Sequence, residues 1–290
     1  MPRTIYRRPA ATDEAIAMLA EYGFDAKILA GGQSLIPMMS LGLARPAVLV
    51  DIGRIASLDR LELGQDLAIG ALVKHRAFEG ADPTIEAAVP LMTAAAPWIG
   101  HTAIRNRGTV VGSIAHGDPA AEWPAVAVGL DAVVHVVGTH GQRLVPAVDF
   151  FIGPLTTDMT EDELIVGVTV PVARPRTAAV VLELAYRHGD YAVVGVAAQV
   201  TAGSTERLED VRIALFGVDA TPIRARAAEA IAIEGPRAFA EAGRIAAGEA
   251  NPSTDATASA AYRRTMIEVH VRRALEDAFG RANVITVDPL

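Results

Sequence analysis

Two adjacent glycines that follow an apolar run constrain the fold of this chain more than any other feature. The run Ile28–Ala30 leads into Gly31 and Gly32, and the polar residues Gln33 and Ser34 separate them from a second apolar segment. Glycine reaches positive φ without strain and has no Cβ to keep a ligand or another backbone away. Successive backbone N–H groups in such a loop can converge on an anion such as a pyrophosphate. A tight strand-to-helix turn that binds nothing is the alternative.

The residues around this loop predict a small α/β subdomain that spans residues 1–56. Its glycine spacing fits neither G-x-G-x-x-G nor a Walker A loop, and no lysine follows. A helix is predicted after Thr12, with acidic residues in its first turn and Gly23 at its end. The segment 47–52, AVLVDI, is typical of a buried strand.

Residues 57–176 show a different pattern and predict an α+β subdomain. Short alternating strands flank the turn residues 64–66, and an alanine-rich helical stretch ends at Pro97 and Gly100. Residues 132–151 predict two strands around a glycine-containing hairpin, and a further strand ends at Pro171. Mixed short strands with two helices favour this class over a doubly wound nucleotide fold.

Residues 177–290 predict a third unit, in which a sheet carries helices on one face. The segments YAVVGVAAQVTA and DVRIALFGVDAT have the β-branched content of strands. RARAAEAIAIEG, AFAEAGRIAAGEA and TMIEVHVRRALEDAFG have the composition of helices. No internal repeat is visible.

A second glycine-rich segment, residues 99–124, is the other candidate binding loop. Thr109 and Ser113 can donate hydrogen bonds to a phosphate, and Gly112 allows close backbone approach. Asp118 or Glu122 could accept hydrogen bonds from sugar hydroxyls. The alternatives are an N-cap role for Asp118, which precedes a proline, and a solvated Glu122.

Composition excludes several functions. The chain has no cysteine, so it cannot carry disulfides, cysteine-ligated iron–sulfur clusters or a catalytic thiolate. Acidic residues outnumber basic ones, 34 to 26, and no basic cluster suggests a nucleic-acid or membrane partner. No stretch approaches the ~20 apolar residues of a membrane span, and no secretory signal is visible, so we expect a cytoplasmic protein. The histidines of the second loop lack the further ligands of a metal site, so no metal is predicted.

The two loops together resemble a known family. ILAGGQSLIPMM and IRNRGTVVGSIAHGDPAAEWPA are similar to the FAD-binding medium subunit of the molybdenum hydroxylases, the xanthine dehydrogenase and carbon monoxide dehydrogenase family. The segments FFIGPLTTDMTEDELIVGVTVP, YRHGDYAVVGVAA, ALFGVDATPIRAR and VHVRRAL agree in the same order. The resemblance extends from the N-terminus to about Ala282. Several ordered motifs make it far more specific than either loop alone.

The resemblance implies a fold and a set of cofactor contacts. The fold is α+β: a two-subdomain FAD-binding domain of the vanillyl-alcohol-oxidase/PCMH type, then a C-terminal α+β domain with a three-stranded sheet and a helical bundle. The implied pyrophosphate contacts fall on both loops. By the same resemblance Glu122 matches an acid that hydrogen-bonds the flavin's sugar chain, Ile99 and Ile165 match apolar positions near the cofactor, and Asp190 and Tyr191 are expected near the isoalloxazine ring. Asp118 is added because its carboxylate could accept hydrogen bonds from sugar hydroxyls. The cofactor-binding residues are Ala30, Gly31, Gly32, Gln33, Ser34, Leu35, Ile99, Thr109, Gly112, Ser113, Asp118, Glu122, Ile165, Asp190 and Tyr191.

Three residues depart from the family pattern. Val111 stands where the family usually has a glycine, so backbone approach there is expected to be less close. Leu182 occupies the position of a flavin-contacting lysine in xanthine dehydrogenases, and Tyr186 replaces one of two arginines before the GDYA motif. These changes concern the tuning of a flavin and not its binding.

The resemblance also implies a role in electron transfer. Non-covalent FAD in this chain would receive electrons from [2Fe–2S] clusters in a small partner subunit, supplied by molybdopterin in a large one, within a dimer of heterotrimers. The reduced flavin would pass them to NAD, a quinone or oxygen. No catalytic acid or base is expected in this chain, because the cofactor performs the redox chemistry. The alternatives are a stand-alone flavoprotein oxidoreductase and a scaffold that has lost its cofactor.

Overall fold

The structure, a computed structural model, describes residues 4–284. Residues 1–3 of the predicted first subdomain and 285–290 of the predicted C-terminal domain lie outside the described residues. Three main β-sheets organise the described chain.

The first sheet is parallel, and the glycine loop leaves its edge. Its strands run in the order β1-β3-β2, with β1 (Ile5–Arg7), β2 (Ala26–Leu29) and β3 (Val48–Asp51). Helix α1 (Thr12–Tyr22) packs its apolar face on the sheet, and helix α2 (Leu35–Ser40) follows the first loop. The predicted helix after Thr12 and the predicted strand over 47–52 are confirmed, because both patterns are locally consistent.

The second sheet is antiparallel, with strand order β4-β5-β10-β6-β7. Its strands are β4 (Leu61–Leu63), β5 (Asp66–Gly70), β6 (Val133–Gly138), β7 (Gly141–Pro146) and β10 (Leu164–Pro171). A small hairpin pairs β8 (Phe151–Gly153) with β9 (Thr156–Thr157). The connections contain α3 (Pro83–Ala88), α4 (Pro90–Ala95), α5 (Thr102–Arg105), α6 (Val110–His116), α7 (Glu122–Gly129) and α8 (Ala147–Phe150).

The third sheet has four antiparallel strands, which corrects the predicted three-stranded sheet. They are β11 (Thr177–Leu184), β12 (Val194–Ala202), β13 (Leu208–Phe216) and β14 (Ile223–Arg224), in that order. Strand β14 pairs with β13 through only two residue pairs. Two residues are too few for an alternating pattern, so the sequence carried no signal for this strand.

Both faces of the third sheet are covered. Helices α9 (Arg226–Ala232), α10 (Phe239–Glu249) and α11 (Ala260–Val284) lie on one side, as predicted. Helices α4 and α7 pack against the other side. Strand β12 is therefore buried along its whole length: Val196 faces the core beneath α9–α11, and Ala197 faces the core shared with the first two sheets. The sheet thus joins the third unit firmly to the other two.

Candidate functional site

A cavity of about 680 Å³ is lined by residues of both glycine loops. This volume falls within the range of about 300–1,000 Å³ that is typical of small-molecule and cofactor sites. All but two of the predicted cofactor residues line it: Ala30, Gly31, Gly32, Gln33, Ser34, Leu35, Ile99, Thr109, Gly112, Ser113, Glu122, Asp190 and Tyr191. Segments that are far apart in sequence therefore meet at one surface.

The first loop leaves β2 and turns into α2 in close contact with the second loop. Gly32 has a φ of 73°, a left-handed conformation that favours glycine. A Cβ on Gly31 would lie 2.4 Å from the carbonyl oxygen of Arg107 and 2.7 Å from the Cα of Gly108. Because both neighbours are backbone atoms, only glycine permits this approach. The two loops touch at this point.

The second loop is anchored by its own hydrogen bonds. Thr109 caps α6, since its Oγ1 accepts a hydrogen bond from Gly112 N at 3.0 Å. A β-bridge joins Thr109 to Lys74, and His75 N donates to Gly108 O at 3.1 Å. Thr109 is 2% exposed, so its cap bond is made largely out of water.

Val111 does not obstruct the cavity. Its side chain is buried in the hydrophobic core, and it is not among the cavity-lining residues. The Val111 side chain, which replaces the family's glycine, therefore points into the core, whereas Gly112 and Ser113 line the cavity. Leu182 packs against the core beneath α9–α11, and Tyr186 is exposed and donates to Thr257 O at 3.2 Å.

The segment 189–191 forms another wall, and Arg105 supports it. Arg105 Nη1 donates to Ile99 O at 3.1 Å and to Gly100 O at 2.8 Å. A Cβ on Gly189 would lie 2.8 Å from that Gly100 oxygen, and the φ of Gly189 is 90°. Tyr191 follows on the cavity surface. Burial, and after it the charges of Asp118 and Glu122, raise the pKa of Tyr191 to about 12, so its phenol keeps its proton.

Glu122 is a buried carboxyl at the cavity wall, which excludes the alternative of a solvated residue. It is 7% exposed and is the first residue of α7. Burial, with a further contribution from the charge of Asp118, raises its pKa to about 7. Near neutral pH this carboxyl can both donate and accept hydrogen bonds, which suits the hydroxyl groups of a sugar chain.

A second carboxyl, that of Glu183, lies close enough to Glu122 for their charges to interact. Burial, and then the charge of Glu122, raise the pKa of Glu183 to about 9. Its Oε1 is buried without a hydrogen-bond partner among the described residues. Glu183 is therefore protonated at neutral pH. This avoids placing a second negative charge beside Glu122.

The structure does not bring Asp118 and Ile165 to the cavity lining. Asp118 Oδ1 accepts from Ala120 N at 2.9 Å in a turn, and α7 begins only at Glu122, so Asp118 is not the N-cap of that helix. Ile165 is 3% exposed on β10 and belongs to the core. Asp118 contributes through its charge on Tyr191 and Glu122.

Several cavity residues were missed by reasoning from sequence. Lining residues between Leu155 and Glu163 contribute a wall next to the second loop. The motif GPLTTDMTEDELIV carried the resemblance, but no pattern within it marks which side chains face a ligand. His75 also lines the cavity. A lone histidine in the apolar segment GALVKHRAF carries no signal, because its position depends on contacts distant in sequence.

Within residues 4–284, no helix combines the length and the apolar composition that crossing a lipid bilayer requires. Nor do three or more His, Cys, Asp or Glu side chains gather into a possible metal site in that part of the chain.

Comparison with known proteins agrees with this geometry. Residues 2–173 match the family described as "FAD binding domain in molybdopterin dehydrogenase", and residues 181–278 match "CO dehydrogenase flavoprotein C-terminal domain". The chain is 37% identical to the nicotine 6-hydroxylase medium subunit of Paenarthrobacter nicotinovorans, over 97% of this chain and 99% of that protein. It is 36% identical to the carbon monoxide dehydrogenase medium chain of Hydrogenophaga pseudoflava, over 97% and 98%.

Solved structures share the same mixed helix–strand architecture. A chain of the Cu,Mo-CO dehydrogenase in its cyanide-inactivated form superposes with a TM-score of 0.92 at 32% identity, covering 97% of this chain and 99% of that one. A chain of quinoline 2-oxidoreductase from Pseudomonas putida 86 gives 0.89 at 33% identity, covering 97% and 98%. Both family matches and both sets of relatives agree with the resemblance seen in the two loops. The chain belongs to the family of FAD-binding medium subunits of the molybdenum hydroxylases and is an oxidoreductase subunit with an FAD-binding domain.

Proposed function

We propose that this chain binds FAD non-covalently in the cavity between the two glycine loops and transfers electrons within a heteromeric molybdenum hydroxylase. The observation that carries the proposal is the contact between the loops, where a Cβ on Gly31 would lie 2.4 Å from Arg107 O. Two backbones that converge so closely on one cavity suit the two phosphate groups of a dinucleotide. The absence of cysteine rules out attachment of the flavin through a thioether in this chain.

The residues present fit the cofactor in three respects. Gly31 and Gly112 line the cavity, and the lack of a Cβ on each lets the backbone pack closely against Arg107 and Thr109 there, so that backbone N–H groups can converge on a diphosphate. Glu122 presents a buried carboxyl with raised pKa to the cavity, where sugar hydroxyls would satisfy it. Tyr191 brings an aromatic ring, with its phenol protonated, to the cavity surface.

The mechanism assigned to this chain is binding and orientation. The flavin, when bound, supplies the reversible redox chemistry that amino-acid side chains lack. The loops Ala30–Leu35 and Thr109–Ser113 would hold its diphosphate, and Glu122 would orient its sugar chain. Asp190 and Tyr191 would border the ring, whose electronic properties respond to nearby charge. Ile99 would exclude water on its side of the cavity, and we retain Asp118 and Ile165 as proposed outer contacts.

We infer a domain division that matches this role. Residues 1–56 and 57–176 would form the two subdomains of a vanillyl-alcohol-oxidase/PCMH-type FAD-binding domain, and 177–290 the C-terminal domain. The parallel first sheet, the antiparallel second sheet and the cavity lined from both support this division. The third sheet, with α9–α11 on its outer side, supports the C-terminal domain.

The proposed assembly accounts for the lack of cysteine ligands for an iron–sulfur cluster in this chain. Without cysteine, this chain cannot carry an iron–sulfur cluster, so the electrons would come from a small partner subunit with [2Fe–2S] clusters. A large molybdopterin subunit would oxidise the substrate, in a cytoplasmic dimer of heterotrimers. The relatives named as medium chains or medium subunits support this arrangement. NAD, a quinone or oxygen would accept the electrons.

Reconstitution tests the proposal. The purified chain should take up FAD with micromolar or tighter affinity, measured by quenching of flavin fluorescence, and release it unmodified on denaturation. Affinity purification of the native complex should recover a small and a large partner, and substrate should bleach the flavin only when both are present. A colourless chain that FAD cannot reconstitute contradicts the proposal. An isolated chain that reduces its own flavin with a small organic substrate would instead indicate a stand-alone flavoprotein.

A further inference from the structure

His75 lies at the cavity wall in a buried aromatic setting. It is 5% exposed, begins a short 3-10 helix, and packs beside Trp123 with ring centroids 6.2 Å apart. Trp123 Nε1 donates a hydrogen bond to His75 Nδ1 at 2.8 Å. Phe78 packs edge-on against the same indole, so the indole and the hydrogen bond it makes are both enclosed.

This hydrogen bond determines which nitrogen of His75 carries a proton. The indole N–H can only donate, so Nδ1 must be the unprotonated acceptor and the neutral imidazole carries its proton on Nε2. Burial, and then the charges of Lys74 and Arg105, lower the pKa of His75 to about 4. The ring is therefore neutral at physiological pH and presents one N–H donor.

That donor lies where the two glycine loops meet. A Cβ on Gly108 would be 2.4 Å from His75 Nε2, and a Cβ on Gly31 would be 2.7 Å from the Cα of Gly108. His75 itself lines the cavity. In the part of the chain that the structure describes, Nε2 has no hydrogen-bond acceptor, because the ring's hydrogen bond is the one that Nδ1 receives. Nε2 is not fully buried, since it is not among the buried side-chain atoms without a partner in this part of the chain, and its N–H can therefore donate to a ligand oxygen in the cavity.

We propose that His75 donates its Nε2–H to a diphosphate oxygen of the bound FAD at the contact between the loops, and that Trp123 positions it by holding the imidazole in this tautomer. The inference rests on the proposed function, since it requires FAD in this cavity. A neutral donor suits this place, because it adds a charge-assisted hydrogen bond without burying a second charge. A purely structural histidine would affect folding and leave FAD affinity unchanged.

Two substitutions separate the two nitrogens of the ring. In His75→Asn, the amide oxygen can still accept from Trp123, but no donor reaches the position of Nε2. In His75→Gln, the longer side chain can place its amide N–H there. We expect FAD binding to the apo chain, measured by fluorescence quenching, to weaken about tenfold or more in His75→Asn and by no more than about threefold in His75→Gln. Equal affinity of His75→Asn and the unaltered chain overturns the proposal, as does equal weakening in both variants.

A measurement on the unaltered chain covers the case in which a variant fails to fold. With ¹⁵N-labelled histidine, we expect His75 to carry its proton on Nε2 in the apo protein, and we expect that N–H signal to shift when FAD binds. A proton on Nδ1, or an Nε2–H signal that FAD leaves unchanged, overturns the proposal. If the unaltered chain does not bind FAD at all, the proposed function itself fails. FAD binding with an unchanged His75 signal defeats only the role of His75.

Discussion

The two glycine loops line one cavity, but different contacts hold each of them. The first loop, residues 30–35, is half-buried throughout, and Ser34 makes no side-chain capping bond to α2. The second loop is buried at Gly108 and Thr109, and Thr109 caps α6. The bridge to Lys74 adds a further attachment.

This difference implies a division of roles between the loops. The second loop is preorganised, because its conformation is maintained by hydrogen bonds that exist without a ligand. The first loop has only local hydrogen bonds, such as that from Gln33 Nε2 to Gly31 O at 3.2 Å, and it packs against the second loop through Gly31. We therefore expect changes in the first loop to reduce ligand affinity, and changes in the second to reduce the stability of the protein itself.

The largest effect is expected from Gly31→Ala, which would break the contact between the loops. The new Cβ would meet backbone atoms at 2.4 and 2.7 Å, so the loops must separate. We expect FAD affinity to fall by more than about 100-fold. Gly248→Ala is the control, because a Cβ there meets nothing within 4 Å. FAD titrations of both variants that match the unaltered chain would show that the contact is dispensable.

The next largest effect is a pH dependence of protein stability that originates at Glu122. The pKa of Glu122 is about 7 in the folded protein and near its ordinary value when unfolded, so the folded state binds more protons between about pH 4.5 and 7. Its contribution to stability is therefore present at low pH and lost as pH rises through 7. Glu122→Gln should stabilise the apo protein by about 2 kcal/mol at pH 8 and have little effect at pH 4.5.

Urea unfolding at the two pH values measures this difference. His75 titrates in the opposite sense, since its lowered pKa means that stability is lost as pH falls from about 6.5 to 4. Subtracting the curve of the unaltered chain removes that contribution. Glu86→Gln, on the exposed surface of α3, is the matched control for the loss of a glutamate. If Glu122→Gln changes the free energy of unfolding equally at both pH values, the pKa of Glu122 is not raised in the folded protein.

The smallest expected effects come from one substitution in each loop, and they compare the two loops directly in stability and FAD affinity. Thr109→Val removes the cap bond of α6 and should lower the free energy of unfolding of the apo protein by about 1 kcal/mol. Ser34→Ala removes no cap and should leave that stability within about 0.5 kcal/mol, while weakening FAD binding several-fold. Calorimetry of the apo variants and FAD titration test both statements. Reversed effects would mean that the first loop, and not the second, is the preorganised one.

Local features of the site could be predicted from sequence because their physical cause is local. The adjacent glycines encode the turn of the first loop through their φ freedom. The cap bond between Thr109 and Gly112 is equally local, although the sequence suggested for Thr109 only a role as phosphate donor. The order of such motifs along the chain carried the family resemblance. Strand β14 could not be predicted, because two residues are too few to show a periodic pattern. The packing of α4 and α7 on the third sheet could not be predicted either, because a strand's sequence does not show which helix covers it.

The sequence by itself determined the two loops, the mixed helix–strand class and, through the absence of cysteine, that these 290 residues cannot ligate an iron–sulfur cluster through thiolates. Only the tertiary structure decided which side chains face the cavity. It placed Val111 in the core, Ile165 away from the lining, and the unpaired N–H of His75 at the contact between the loops. The reason is physical: burial, desolvation and tautomer choice depend on groups that are distant in sequence and adjacent only after folding.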